Sequence, residues 1–226
     1  MNHRFFVPEA VAPGATVTLP FDERHHARVL RVREGEEVEV LDVHGNNFVG
    51  HFRDGNVVIA KATGNREPAT AISLAMSIIN LDKFEFVLQK ATEIGAQSFI
   101  PLITDRMEMR IERVRGKDER WRKIVLEAVK QSGRSKIPTI EPPIQFDEAI
   151  ARDGHKIVFD ADAEPQTTEN RQQTTLFIGP EGGFSERELT LARENGASFE
   201  QLGPRRLRAE TAAIAALAIH LIGLRA

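Results

Sequence analysis

The spacing of apolar positions changes near residue 68, and the change divides the chain. Before that point apolar residues alternate in short runs at 15–19, 37–42, 47–52 and 56–63, separated by Pro13-Gly14, Gly35, His44-Gly45-Asn46 and Asp54-Gly55. Alternation bounded by turn residues predicts strands and hairpins, hence a small β-barrel or sandwich over residues 1–68, interrupted by one helix at 24–30. The run Gly64-Asn65-Arg66-Glu67-Pro68 reads as a linker.

Beyond the linker the period lengthens. Strands are predicted at 73–79, 98–103, 156–160, 174–178 and 198–202, with helices between them. One helix is opened by Asp82, carries Phe84, Val87, Leu88, Ala91 and Ile94 on one face, and closes at Gly95. A second, over 117–132, turns Trp121, Ile124, Val125, Ala128 and Val129 inward. A third, over 186–195, begins at the capping box Ser185-x-x-Glu188 and ends at Gly196. The last starts at Ala209 and stays apolar on all sides over 212–224, which predicts burial. Strands alternating with helices specify an α/β domain over 72–226, a mostly parallel sheet covered on both faces.

Composition removes several chemistries. The chain of 226 residues has no Cys, which excludes disulfides, thiolate metal sites and a Cys nucleophile. Its seven His form no ligand spacing, so no metal is expected. The first ten residues lack the apolar core of a signal peptide, and the apolar run at 212–224 is too short to span a bilayer; a cytoplasmic protein without membrane contact is expected. Net charge is −3, yet residues 104–136 hold 11 Lys and Arg against 6 Asp and Glu. That excess is either a solvated helix face or a surface for an anionic partner.

Two loops leave strand C-termini and enter helices, the place where parallel sheets build clefts. The first is Ile178-Gly179-Pro180-Glu181-Gly182-Gly183-Phe184-Ser185, whose glycines permit close backbone approach to a ligand, although tight βα turns also use glycine for geometry alone. It matches neither dinucleotide nor Walker phosphate loops. The second, Gly203-Pro204-Arg205-Arg206-Leu207-Arg208-Ala209-Glu210-Thr211, sets three cations before an almost uncharged helix. Either nearby Glu side chains or a ligand meets them.

These two loops resemble the paired C-terminal signatures of the RsmE family of small-subunit ribosomal RNA uracil-N3 methyltransferases, members of the SPOUT class. The likeness extends to Lys83, to Gln89-Lys90-Ala91-Thr92-Glu93-Ile94-Gly95 with Pro101, and to Glu127-Ala128-Val129-Lys130-Gln131-Ser132-Gly133-Arg134 with Pro138. Arg4-Phe5-Phe6-Val7 and His26-Ala27-Arg28-Val29-Leu30-Arg31 are similar to the family's N-terminal segment. The resemblance implies a PUA-like RNA-binding barrel, a knotted SPOUT domain, a homodimer, S-adenosylmethionine as methyl donor, and 16S ribosomal RNA of the small ribosomal subunit as substrate. It implies a donor pocket of Ile178, Gly179, Gly183, Leu202, Gly203, Leu207, Arg208, Ala209 and Thr211. Where this chain has Pro204-Arg205-Arg206, family members often carry a less basic stretch.

Methylating N3 of uracil requires loss of an imide proton about as acidic as that of Tyr or protonated Lys, so a base or a cation must assist. Arg134 is the expected electrostatic stabiliser, with Glu181 or Glu210 as acid, base or orienting partner. N3 lies on the pairing edge, so the base must be unpaired or flipped out. Arg4, Arg28, Arg31, Arg106, Arg110, Arg113 and Arg115 are the expected phosphate contacts. Two readings remain beside this one: a non-catalytic RNA-binding ribosome-assembly factor, and a SPOUT methyltransferase acting on transfer RNA or the ribose 2′-hydroxyl.

Overall fold

A computed structural model describes residues 3–163 and 173–222. The chain forms two units, one of residues 1–67 with 129–137, the other of 68–128 with 138–226.

The first unit contains β1 (Arg4–Phe6), β2 (Thr16–Thr18), α1 (Phe21–Val29), β3 (Glu37–Leu41), β4 (Asn47–Arg53) and β5 (Asn56–Thr63). The strands form a mixed sheet in the order β1-β3-β4-β5-β2, with β1 parallel to β3 and the remaining pairs antiparallel. Inward residues of the alternating runs, among them Phe5, Val17, Val38, Val40, Val57 and Ile59, make the core. The Asp54-Gly55 hairpin has φ of 45° and 74°, the doubly positive turn that follows strand twist. At the β3–β4 turn, Asp42 accepts from the backbone N–H of His44 at 2.9 Å and of Asn46 at 2.8 Å. Strand β1 escapes sequence prediction because it is three residues long and places a buried Arg in a strand.

The second unit contains β6 (Ala71–Ser77), α2 (Leu81–Ile94), β7 (Ser98–Ile103), a 3-10 turn at Ile111–Arg113, α3 (Asp118–Ser132), β8 (Thr139–Ile140), β9 (Ile144–Gln145), α4 (Phe146–Ile150), β10 (His155–Phe159), β11 (Gln173–Ile178), α5 (Glu186–Glu194), β12 (Ser198–Glu200) and α6 (Ala209–Ile222). The last residues of α3 cluster with the first unit. The sheet runs β12-β10-β11-β6-β7-β8, with β9 also on β7, and every pairing is parallel. Its central strands are apolar and buried through Leu74-Ala75-Met76 and Leu176-Phe177-Ile178, as expected where both faces are covered. Against one face, Phe146, Ile150, Leu189 and Ala192 of α4 and α5 pack on Ala75, Val158 and Phe177. Helix α6 lies on β6 and β11, and α2 packs on α6.

Two details depart from the sequence reading. Helix α2 is capped by Asn80, whose side chain accepts from the N–H of Asp82 at 3.0 Å, so Asp82 lies inside the first turn. Helix α6 is buried only along Ala209, Ala213, Ala216, Leu217 and His220, while Ile219 and Ile222 are exposed. A helix apolar on every side gives no periodic signal for the face that packs. The final residues of the 212–224 run lie outside the described residues.

Candidate functional site

The first loop turns on two glycines. A Cβ at Gly179 would lie 3.2 Å from the carbonyl carbon of Gly183 and from the backbone nitrogen of Phe184, so any larger residue would press the loop apart by a few tenths of an ångström. Gly183 has φ +69° and donates its N–H to the Pro180 carbonyl at 2.9 Å. Of Gly179, Gly182 and Gly183, only Gly183 takes the left-handed conformation. The turn is then fixed at its end. Ser185 accepts from the N–H of Glu188, and Glu188 accepts from the N–H of Ser185 at 2.8 Å and from that of Asp105 at 2.9 Å. The capping box therefore also ties α5 to the chain leaving β7. Asp105 takes a bidentate pairing from Arg187, which holds its carboxyl below the usual carboxylate range.

A cavity of about 330 Å³ opens at the C-terminal ends of three neighbouring strands, β12, β10 and β11. Ile178, Gly179, Gly183, Leu202, Gly203, Leu207 and Ala209 line it, which unites most of the expected donor pocket. Leu202 and Leu207 are half-buried and give it apolar walls. Arg208 and Thr211 are exposed and do not line it; the Arg208 carbonyl accepts the N–H of Ala212 at 2.8 Å as α6 begins.

The third wall, Phe159-Asp160-Ala161-Asp162, is absent from the sequence reading. Its signal is weak in one chain: the segment follows a predicted strand, but only the strand order places it between the two glycine-bearing loops. Arg205 and Arg206 also line the cavity, and Arg206 meets Asp162 at 3.4 Å, so this third wall supplies its counter-charge.

The catalytic candidates separate. Glu181 lines the cavity, and Glu210 sits in the first turn of α6; one ammonium, that of Lys83, lies 3.4 Å from Glu181 Oε1 and 3.7 Å from Glu210 Oε1. Arg134 belongs to the first unit and is 5% exposed. Its guanidinium is paired with Glu67, the nearest contact being Nη2 to Oε2 at 2.6 Å, and Glu67 further accepts from the N–H groups of Ser135 at 2.7 Å and Lys136 at 2.9 Å. Burial pushes the Glu67 carboxyl up, but these donors outweigh it and hold it below its ordinary value. Arg4, 7% exposed, donates to Asn47 and to the carbonyl of Arg134, and burial lowers its guanidinium below the usual value.

The remaining expected RNA contacts, Arg28, Arg31, Arg106, Arg110, Arg113 and Arg115, are exposed. Arg106 also lines the cavity and donates to the Gly182 carbonyl at 2.9 Å, joining the basic stretch to the glycine loop.

A family model described as an RNA methyltransferase domain matches residues 65–221. Ribosomal RNA small subunit methyltransferase E of Aquifex aeolicus is 31% identical over 91% of this chain and 94% of its own length. The chain belongs to the RsmE family. Among solved structures, the RsmE protein of Neisseria gonorrhoeae, bound to S-adenosyl methionine, superposes with a TM-score of 0.89 at 31% identity, covering 96% of each chain. A putative methyltransferase of Legionella pneumophila, in complex with the same cofactor, has a TM-score of 0.87 at 31% identity and covers 97% of this chain and 96% of its own. The match to the RNA methyltransferase domain spans both glycine-bearing loops and the third wall they enclose. Among the described residues no group of His, Asp and Glu is arranged to hold a metal, and no helix is long and apolar enough to cross a membrane.

Proposed function

We propose that this RsmE-family chain methylates N3 of a uridine in 16S ribosomal RNA of the small ribosomal subunit, using S-adenosylmethionine held in the cavity at the ends of β10, β11 and β12. The observation that carries this reading is the folded Gly179–Gly183 turn facing the Leu202–Ala209 loop across that cavity.

The residues present fit the donor. The cavity volume lies in the range of about 300–1,000 Å³ typical of small-molecule sites. Leu202 and Leu207 offer apolar contact to a flat adenine, and loop main chain, which no Cβ screens at Gly179 and Gly203, offers polar groups for its edge. When bound, S-adenosylmethionine supplies an electrophilic methyl group on a sulfonium. The chain aligns that group with the nucleophile, and alignment alone is worth several powers of ten in rate.

Glu181 and Glu210 are the carboxylates placed to accept or orient the imide proton, and Lys83 is the cation beside them. The Arg134 guanidinium is buried against Glu67 and holds the turn after α3 instead of acting as a catalyst. Arg4 is likewise a buried tie within the first unit. Arg28, Arg31, Arg106, Arg110, Arg113 and Arg115 remain the phosphate contacts, and the negative net charge favours a shaped RNA in an assembled particle over any RNA.

The C-terminal unit is a trefoil-knotted SPOUT domain in this reading, and the first unit is a PUA-like RNA-binding module. The chain works as a homodimer in the cytoplasm, where ribosomes are assembled. Exposed Phe86 of α2 and Ile219 and Ile222 of α6 support a second copy as partner. The test offers methyl-labelled donor with small subunits, naked 16S ribosomal RNA or transfer RNA. Label on ribosomal RNA, strongest in the assembled subunit, supports the reading. Label on transfer RNA alone, or none with any acceptor, overturns it in favour of the two other readings.

A further inference from the structure

Lys83 occupies the first turn of α2, where the helix dipole disfavours a cation. Its ammonium nevertheless turns to two carboxylates carried by different loops: Glu181, in the turn that leaves β11, and Glu210, at the start of α6. Both loops line the donor cavity. We propose that Lys83 is a positioning residue that clasps the two donor loops together and thereby sets donor affinity. The proposal rests on the donor site described above.

The two arms of the clasp are unequal. The side chains of Lys83 and Glu181 are 36% and 44% exposed, so water and salt screen that arm. The side chain of Glu210 is 15% exposed, and its Oε2 is buried with no hydrogen-bond partner. A carboxylate in that setting depends on its counter-charge, and removing the ammonium leaves it buried and uncompensated. The Glu210 arm therefore carries most of the effect. On the first loop, Arg106 fixes the next residue through the Gly182 carbonyl. Lys83 and Arg106 thus hold consecutive residues of one turn, and only Lys83 also reaches the second loop.

The clasp acts on donor affinity, which an unreactive analogue of the donor reads apart from any effect on the two carboxylates. The test measures calorimetric affinity for S-adenosylhomocysteine, which binds without reacting, in wild type, Lys83→Gln, Lys83→Arg, Glu181→Gln, Glu210→Gln and the Lys83→Gln/Glu210→Gln double variant. Lys83→Gln is expected to weaken binding roughly tenfold and Glu210→Gln nearly as much, with the double variant no weaker than Lys83→Gln. Glu181→Gln should stay within about threefold of wild type, and Lys83→Arg, which keeps the charge, should restore most of the affinity. In turnover the donor KM of Lys83→Gln rises in step with its loss of affinity for the unreactive analogue. Wild-type affinity in Lys83→Gln, or losses that add independently in the double variant, overturns the clasp. If Lys83→Gln does not fold, Glu210→Gln decides alone against a folded Lys83→Arg: loss in the first with retention in the second supports the clasp, and retention in both overturns it. A wild-type protein without affinity would refute the donor site itself.

Discussion

At the scale of single residues, burial separates the polar groups that build the fold from those available for chemistry. Glu67 and Asp42 show the first kind, each held below its ordinary value by donors that outweigh the cost of burial. A carboxyl lowered on folding adds stability above its unfolded value, about 4.3 for Glu, and the contribution is lost as pH falls through the folded value. Thermal unfolding of wild type and Glu67→Gln should therefore diverge most near neutral pH and converge below about pH 4. A gap independent of pH would contradict the assignment. Gly179 shows a different constraint, a place where a Cβ would crowd the backbone of Gly183 and Phe184 at 3.2 Å. Gly179→Ala is expected to cost about 1–3 kcal/mol in denaturant unfolding and to weaken donor binding, and unchanged stability would show that the turn has room. The sequence marked Arg134 and Arg4 as chemical residues because an Arg in one chain reads the same whether it meets a phosphate or a buried carboxylate. Only the position of Glu67, far away in sequence, distinguishes the two.

At the scale of elements, helices with strong local signals were legible, as was the start of the evenly apolar α6 though not its buried face, and very short elements were not. The capping box at Ser185 and Glu188 places the start of α5 correctly from four residues. Glu188 does more than the motif states, because its second oxygen receives Asp105 from the end of β7. Ser185→Ala should cost about 1 kcal/mol, the usual value of a cap. Glu188→Ala should cost more, since it also strands the Asp105 N–H. Because the Ser185 hydroxyl also donates to Asp105, equal losses measured by denaturant unfolding would mean that the Asp105 N–H bond to Glu188 is worth no more than that hydroxyl contact. Strands β8 and β9 and helix α4 escaped the pattern because two- and five-residue elements hold too little periodicity. The wall that follows β10, itself a predicted strand, escaped for another reason. Its contribution to the cavity follows from lying between β12 and β11, and strand order is set by long-range pairing that no local pattern encodes.

At the scale of the whole molecule, the alternation of strands and helices fixed the class of the second unit, and family likeness supplied the activity. The physical account adds why the loops belong together. Neighbouring parallel strands deliver a folded glycine turn, an apolar pair of Leu residues and an acidic third wall to one cavity, with Lys83 bridging the carboxylates at its edge. In the proposed reading the exposed apolar side chains of α2 and α6 would meet a second copy and the exposed arginines of the basic stretch would meet RNA. The central claim is a methyl group on N3 of a uridine. Its most direct test is mass analysis of nucleosides from 16S ribosomal RNA after unmodified small subunits are incubated with the protein and S-adenosylmethionine. The account predicts 3-methyluridine at a single position, dependent on both protein and donor. A methyl group on a ribose 2′-hydroxyl or on another base, or RNA left unmodified by a protein that binds the donor, would contradict it.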